Sequence, residues 1–161
     1  MITEKDITWI FGSSIHLSQN LLEIVLKFTL AFSYAENQLM DGMSTTRHAR
    51  NYANAMIAKP SFKFFDSASY FQSRYSEEDG FDQKLRILCN NDKHSYEQIT
   101  YAFGSTEATQ LDKLEALFRI VIRLRNNLFH GEKWNYLLSD QERNLSMATH
   151  FIVDALRING K

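Results

Sequence analysis

The chain is poor in the residues that staple, break or kink a backbone. Its one cysteine, Cys89, excludes an intrachain disulfide. Leu85, Ile87 and Leu88 around it, with no local basic pair to lower its pKa, mark it as a small buried hydrophobe rather than a nucleophile. Its one proline, Pro60, leaves long stretches free to be helical. The six glycines stand isolated, which excludes a glycine-rich phosphate loop. His16, His48, His94 and His150 have no carboxylate or cysteine at metal-ligand spacing, so no metal site and no cofactor is expected. No apolar run is long enough for a membrane span: the best, residues 21–32, carries Glu23 and Lys27. The opening MITEKDITWIFGSS lacks the basic start and apolar run of a secretory leader, so a cytoplasmic protein is expected. Neither sign of charge dominates, with a net charge of −1.

What is present is apolar and periodic. A chain of 161 residues, 44% apolar and 23% charged, is expected to form a single domain over 1–161 and to bury roughly 70% of its unfolded surface. Leu17, Leu21, Ile24, Phe28, Phe32, Ala35 and Leu39 recur at steps of three and four and predict a helix over about 15–40, closed by Asp41-Gly42. Ala49, Tyr52, Ala53 and Met56 predict a second over 44–58, stopped by Pro60. An aromatic-rich connection holds Phe62, Phe64, Phe65, Tyr70, Phe71 and Tyr75 and a short helix near 67–75, read as a satellite core. Shorter helices follow over 81–90 and 95–103, the latter with Ser95 and Gln98 as a capping box. A long helix over 107–130 carries two overlapping apolar stripes, which makes it central. Its remaining face would hold Glu115, Arg119, Arg123, Asn126 and His130. A second capping box, at 139–142, opens a last helix to about 158. A short helix over 3–11 completes the reading. No strand-like alternation of useful length occurs. The fold class is all-α, an antiparallel bundle of four to five main helices with short accessory helices.

Two basic regions break the neutral average. Positions 43–76 hold Arg47, Arg50, Lys59, Lys63 and Arg74 against Asp66 alone. The second holds Arg119, Arg123, Arg125 and Lys133, with Glu115 and Glu132 nearby. Either could form a local anion-binding surface or a solvated helix face.

The stretch RNNLFHG at 125–131 is the most specific in the chain. It sets Arg125 in the apolar stripe of the long helix and ends that helix on His130 before Gly131. A cation in such a stripe is costly unless paired, and a histidine beside it is a proton-transfer candidate. Asn126 shares a face with His130, and Asn127 is the next best placed amide. Arg125 and His130 lie about 140° apart on an ideal helix. A left-handed cap at Gly131, the length of arginine, or two copies of the helix meeting through the Val121 and Leu128 stripe would bring them to one cleft. The structural reading is a helix-capping histidine and an arginine paired with Glu36.

Written R-N-x-x-x-H, residues 125–130 resemble the signature of the HEPN family (higher eukaryotes and prokaryotes nucleotide-binding domains), and the surrounding RNNLFHGEK strengthens the likeness. The resemblance implies a small helical bundle that dimerises through the motif helix. It also implies a metal-independent endoribonuclease of the toxin–antitoxin, phage-defence or RNA-processing type, with Arg125 and His130 as catalytic pair and Asn126 as polar accessory. RNA and an antitoxin or other protein become the expected partners.

The residue types suit that chemistry. RNA carries its own nucleophile, the 2′-hydroxyl. His130 can move protons near neutral pH and Arg125 offers a permanent planar fork to phosphate oxygens. Asn127, Arg123, Lys133, Arg47 and Arg50 are the expected substrate contacts. The alternative is a catalytically silent helical module of the same fold that binds a nucleotide, RNA or a protein partner.

Overall fold

A computed structural model describes residues 18–75, 81–129, 138 and 140–160, together with Lys5 and Trp9. Seven α-helices pack into one bundle, and no strand occurs among the described residues. They are α1 (Gln19–Leu39), α2 (Ala49–Ile57), α3 (Phe65–Tyr75), α4 (Phe81–Cys89), α5 (Lys93–Gly104), α6 (Gln110–Phe129) and α7 (Glu142–Asn159). A 3₁₀ turn, Thr46–His48, leads into α2. The all-α expectation is met. The short helix expected over 3–11 falls mostly outside the described residues. No helix among those described is long and apolar enough to cross a membrane.

Each helix follows its apolar spacing. Ser18 caps α1 by accepting the Leu21 N–H at 3.1 Å. Leu21, Phe28, Phe32 and Ala35 are buried, and α1 lies along α7, which buries Leu145, Ala148, Phe151, Ile152 and Ala155. The chain leaves α1 through Asp41 and Gly42, both at positive φ, the conformation that favours glycine. In α2 the four expected residues, Ala49, Tyr52, Ala53 and Met56, are buried.

Of the aromatics of 62–75, Phe62, Phe64, Phe71 and Tyr75 join the main core rather than forming a satellite, Tyr70 packs against it partly buried, and Phe65 is exposed. The Phe151 ring packs 5.8 Å from Phe62 and 5.1 Å from Phe118, and Phe118 packs 5.8 Å from Tyr52.

The central helix is α6, packed against α2, α3, α4 and α5. Nine consecutive residues, 114–122, are buried. No face is left for a solvated polar stripe, which corrects the expectation for Glu115 and Arg119. Arg119 is 2% exposed, and its Nε and Nη2 donate to Glu115 Oε1 at 3.0 and 2.8 Å. Its Nη1 donates to Ser95 Oγ at 3.2 Å. The other Glu115 oxygen accepts from Arg50 at 2.9 Å. Arg119, not Arg125, is therefore the core cation. The Val121 and Leu128 stripe expected to join two copies is also buried within the chain, because α6 is already surrounded.

The cap of α5 differs from expectation too. Asp92, not Ser95, is the N-cap residue, and its carboxylate accepts the Ser95 N–H at 3.0 Å and the Ser95 hydroxyl at 2.7 Å. A carboxylate accepts from the amide and the hydroxyl at once and favours the positive end of the helix dipole. Thr46 Oγ1 donates to it as well, at 2.9 Å. At α7 the N-cap residue is Gln141, without a side-chain cap bond of its own; the expected Ser139 lies outside the described residues.

Two expected outcomes follow. Glu115→Ala strands the Arg119 guanidinium and is expected to lower unfolding free energy by about 3–5 kcal/mol. The double replacement Glu115→Leu with Arg119→Met should cost clearly less in the same urea titration. Burial raises the Asp92 pKa, but the Ser95 and Thr46 bonds and the Arg123 charge outweigh it and hold the carboxyl below the ordinary range. A depressed pKa stabilises the fold above the unfolded-state value and is lost as pH falls through the folded value. Asp92→Asn, which can still cap, should therefore be less stable than wild type at pH 7 by up to about 1 kcal/mol. The two unfolding curves should converge at pH values below the Asp92 titration.

Candidate functional site

The last turn of α6 runs beyond the deepest core and meets α1. There Arg125 is 34% exposed, neither a sealed core cation nor a free surface charge. Its guanidinium carbon lies 5.3 Å from the Phe129 ring centroid and 5.7 Å from that of Phe32. Two aromatic faces thus hold it without neutralising it. Its Nη1 donates to Asn126 Oδ1 at 3.1 Å. Its Nη2 stands 3.8 Å from Glu36 Oε1, beyond direct hydrogen-bond length. The same Glu36 oxygen accepts from the Ser44 hydroxyl.

These groups border a cleft of about 140 Å³, lined by Thr29, Phe32, Ser33, Glu36, Arg125 and Phe129. Exposed apolar side chains flank it. Leu26, Leu30 and Tyr34 recur every four residues along α1 and are 57–62% exposed, and Phe129 is 61% exposed. The partnership of Arg125 with Glu36 was anticipated from the sequence. The aromatic cradle was not: Phe32 reads as one more residue of an apolar stripe, and Phe129 belongs to neither stripe of α6.

Arg123 and Asn127 serve another purpose. They lie about 200° round the helix from Arg125 and face α4. Arg123 Nε and Asn127 Nδ2 both donate to the Leu88 carbonyl, at 3.1 and 2.9 Å, and Arg123 Nη2 bonds Asn127 Oδ1 at 3.3 Å. Leu88 is in the last turn of α4, where carbonyls lack helical partners. Asn127 is 1% exposed. The pair fastens α4 to α6 and is not brought to the Arg125 cleft.

Arg50 is engaged with Asp112 at 2.6 Å and with Glu115. The Asp112 hydrogen bond raises its pKa most, against burial, with Glu115 adding to the rise. Those acids precede Arg125 by roughly 15 to 20 Å along the α6 axis. Arg47 is exposed in the 3₁₀ turn before α2. His130 and Lys133 lie outside the described residues. Cys89 is buried, and burial pushes its thiol up to about 12, which makes it inert at neutral pH.

Arg125 and Asn127 are therefore expected to separate in mutagenesis. Asn127→Ala should lower stability by about 1–3 kcal/mol by removing buried bonds to Leu88. Glu36→Gln, which keeps an acceptor for Ser44 and removes a long, partly exposed ion pair, should shift it by less than about 1 kcal/mol. Chemical denaturation of both variants checks the contrast. Comparison of the chain with protein-family models, with curated proteins and with solved structures finds no match, so the assignment of a function turns on the Arg125 cleft and the motif that follows it.

Proposed function

We propose that the protein is a metal-independent endoribonuclease of the HEPN type, of the toxin or defence-effector kind, with an antitoxin or similar protein as a further partner. Arg125 engages the scissile phosphate and His130 is the general acid and base, with Asn126 as polar accessory. The observation that carries this reading is the state of Arg125. It is a third exposed, braced on two aromatic rings and held by its acid only at 3.8 Å. It is also bonded to the amide that precedes His130 by four residues. A guanidinium required for packing would be satisfied as Arg119 is; Arg125 keeps donor capacity facing a cleft.

In the proposed reaction the imidazole takes the proton of the 2′-hydroxyl, and that oxygen attacks the adjacent phosphorus. Arg125 stabilises the added charge on the non-bridging oxygens. The 5′-oxygen leaves with a proton, giving a 2′,3′-cyclic phosphate and a 5′-hydroxyl. Glu36 holds Arg125 in position until the phosphate takes over its donors. A homodimer that places His130 of each copy near Arg125 of the other would use the exposed Leu26, Leu30 and Tyr34 face of α1 rather than the buried α6 stripe.

The Glu36 contact favours a second reading, in which the same module binds RNA, a nucleotide or a protein partner without cleaving. Incubation of mixed RNAs with pure protein in EDTA, resolved on a denaturing gel, separates the two. Cleavage leaving cyclic-phosphate ends is expected, with Arg125→Ala and His130→Ala slower by about 10²-fold or more. RNA left intact by the wild type, or full activity in His130→Ala, would count for the silent module.

A further inference from the structure

A larger cleft lies away from the motif, between α3, α4 and the start of α7, with a volume of about 630 Å³. That is within the size range of small-ligand sites. One face of α3 contributes Ser69, Ser73 and Arg74, α4 contributes Lys84, and α7 contributes Arg143. Among the described residues, Asp66 and Asp140 also border it.

The arginines are poorly matched to those acids. The Arg74 side chain is only 13% exposed, yet its one carboxylate partner among the described residues, Asp140, is 71% exposed and 3.3 Å away. Asp140 meets both Nη atoms at that distance, longer than the usual charge-assisted bond. The Arg74 Nε is buried with no acceptor among the described residues. Its Nη2 also donates to the Asp140 carbonyl at 3.3 Å, and its charge is favoured by the neighbouring Tyr75 and Tyr70 side chains, so the Nε is the donor left uncompensated, which is costly. Arg143 lies with its guanidinium carbon 5.0 Å from the Tyr70 ring centroid, a contact that positions a cation and leaves its hydrogen-bond donors available. The Tyr70 hydroxyl is in turn fixed by donating to the buried Asn144 at 2.7 Å.

We propose that this cleft is a phosphate-binding site in which Arg74, Lys84 and Arg143 hold the anion and the Ser69 and Ser73 hydroxyls complete its hydrogen bonds. A phosphate suits the donors better than a carboxylate, because its several oxygens accept from cations arriving from three helices at once. The phosphate belongs either to a small free ligand or to a nucleic acid strand. The inference does not depend on cleavage at Arg125.

Binding to the full chain tests it with two probes: inorganic phosphate by calorimetry, and a short labelled single-stranded RNA by fluorescence anisotropy. The double variant Lys84→Ala with Arg143→Ala changes two exposed side chains, and circular dichroism checks its fold. Wild type is expected to bind at least one probe, with the double variant weaker by about tenfold or more. If RNA binds, the slope of log affinity against log salt should fall by about two in the double variant. Phosphate binding alone identifies a free ligand, and RNA binding alone identifies a strand. Equal binding by wild type and double variant, or binding of neither probe, overturns the proposal. So does a loss in Arg125→Ala as large as in the double variant, since the anion would then sit at the motif. Loss of cleavage with this binding intact would remove only the nuclease reading.

Discussion

The constraint on which the structure turns is the enclosure of α6. With residues 114–122 buried on every side, each polar group on that stretch must find its partner inside the protein. An unpaired charge there would cost several kcal/mol, of the order of the fold's whole net stability of about 5–15 kcal/mol. The result is a chain of bonds from Arg50 through Glu115 and Arg119 to Ser95 and Asp92. It ties α2, α5 and α6 together in one register. Further along, Arg123 and Asn127 do the same for α4 through the Leu88 carbonyl.

The candidate site is where this enclosure ends. On the Arg125 face of the last turns of α6 the neighbours are α1 side chains and solvent, and the Arg125 guanidinium is held without being consumed. Its support is aromatic and its acid is distant. Arg119 and Arg125, six residues apart on one helix, differ in how fully their charges are compensated. In the first, each of the three guanidinium nitrogens is hydrogen-bonded. The second retains donors toward a cleft.

A similar incompleteness marks the cleft between α3, α4 and α7. Arg74 is nearly as buried as a core residue, but its acid partner is solvated and its Nε has no acceptor among the described residues. Both clefts sit at helix ends or at the edge of the bundle, where packing fixes a side chain while leaving one side of it open.

The helices and most of their buried faces were legible in the sequence, because spacing at three and four residues is set by the geometry of a single helix. The stripe of α1, the four apolar residues of α2 and the central role of α6 all follow from that period. The candidate pairing of Arg125 with Glu36 was legible too, from a single acid flanked by apolar neighbours. What spacing cannot say is which helix lies against which face. Glu115, Arg119 and Arg123 read as one polar face, yet tertiary packing sent them to three different partners: the α2 arginine, the α5 serine and the α4 carbonyl. The Phe32 and Phe129 cradle and the convergence of Arg74, Lys84 and Arg143 were likewise decided only in three dimensions. These groups come from different helices, and only the way those helices pack sets the distances between them.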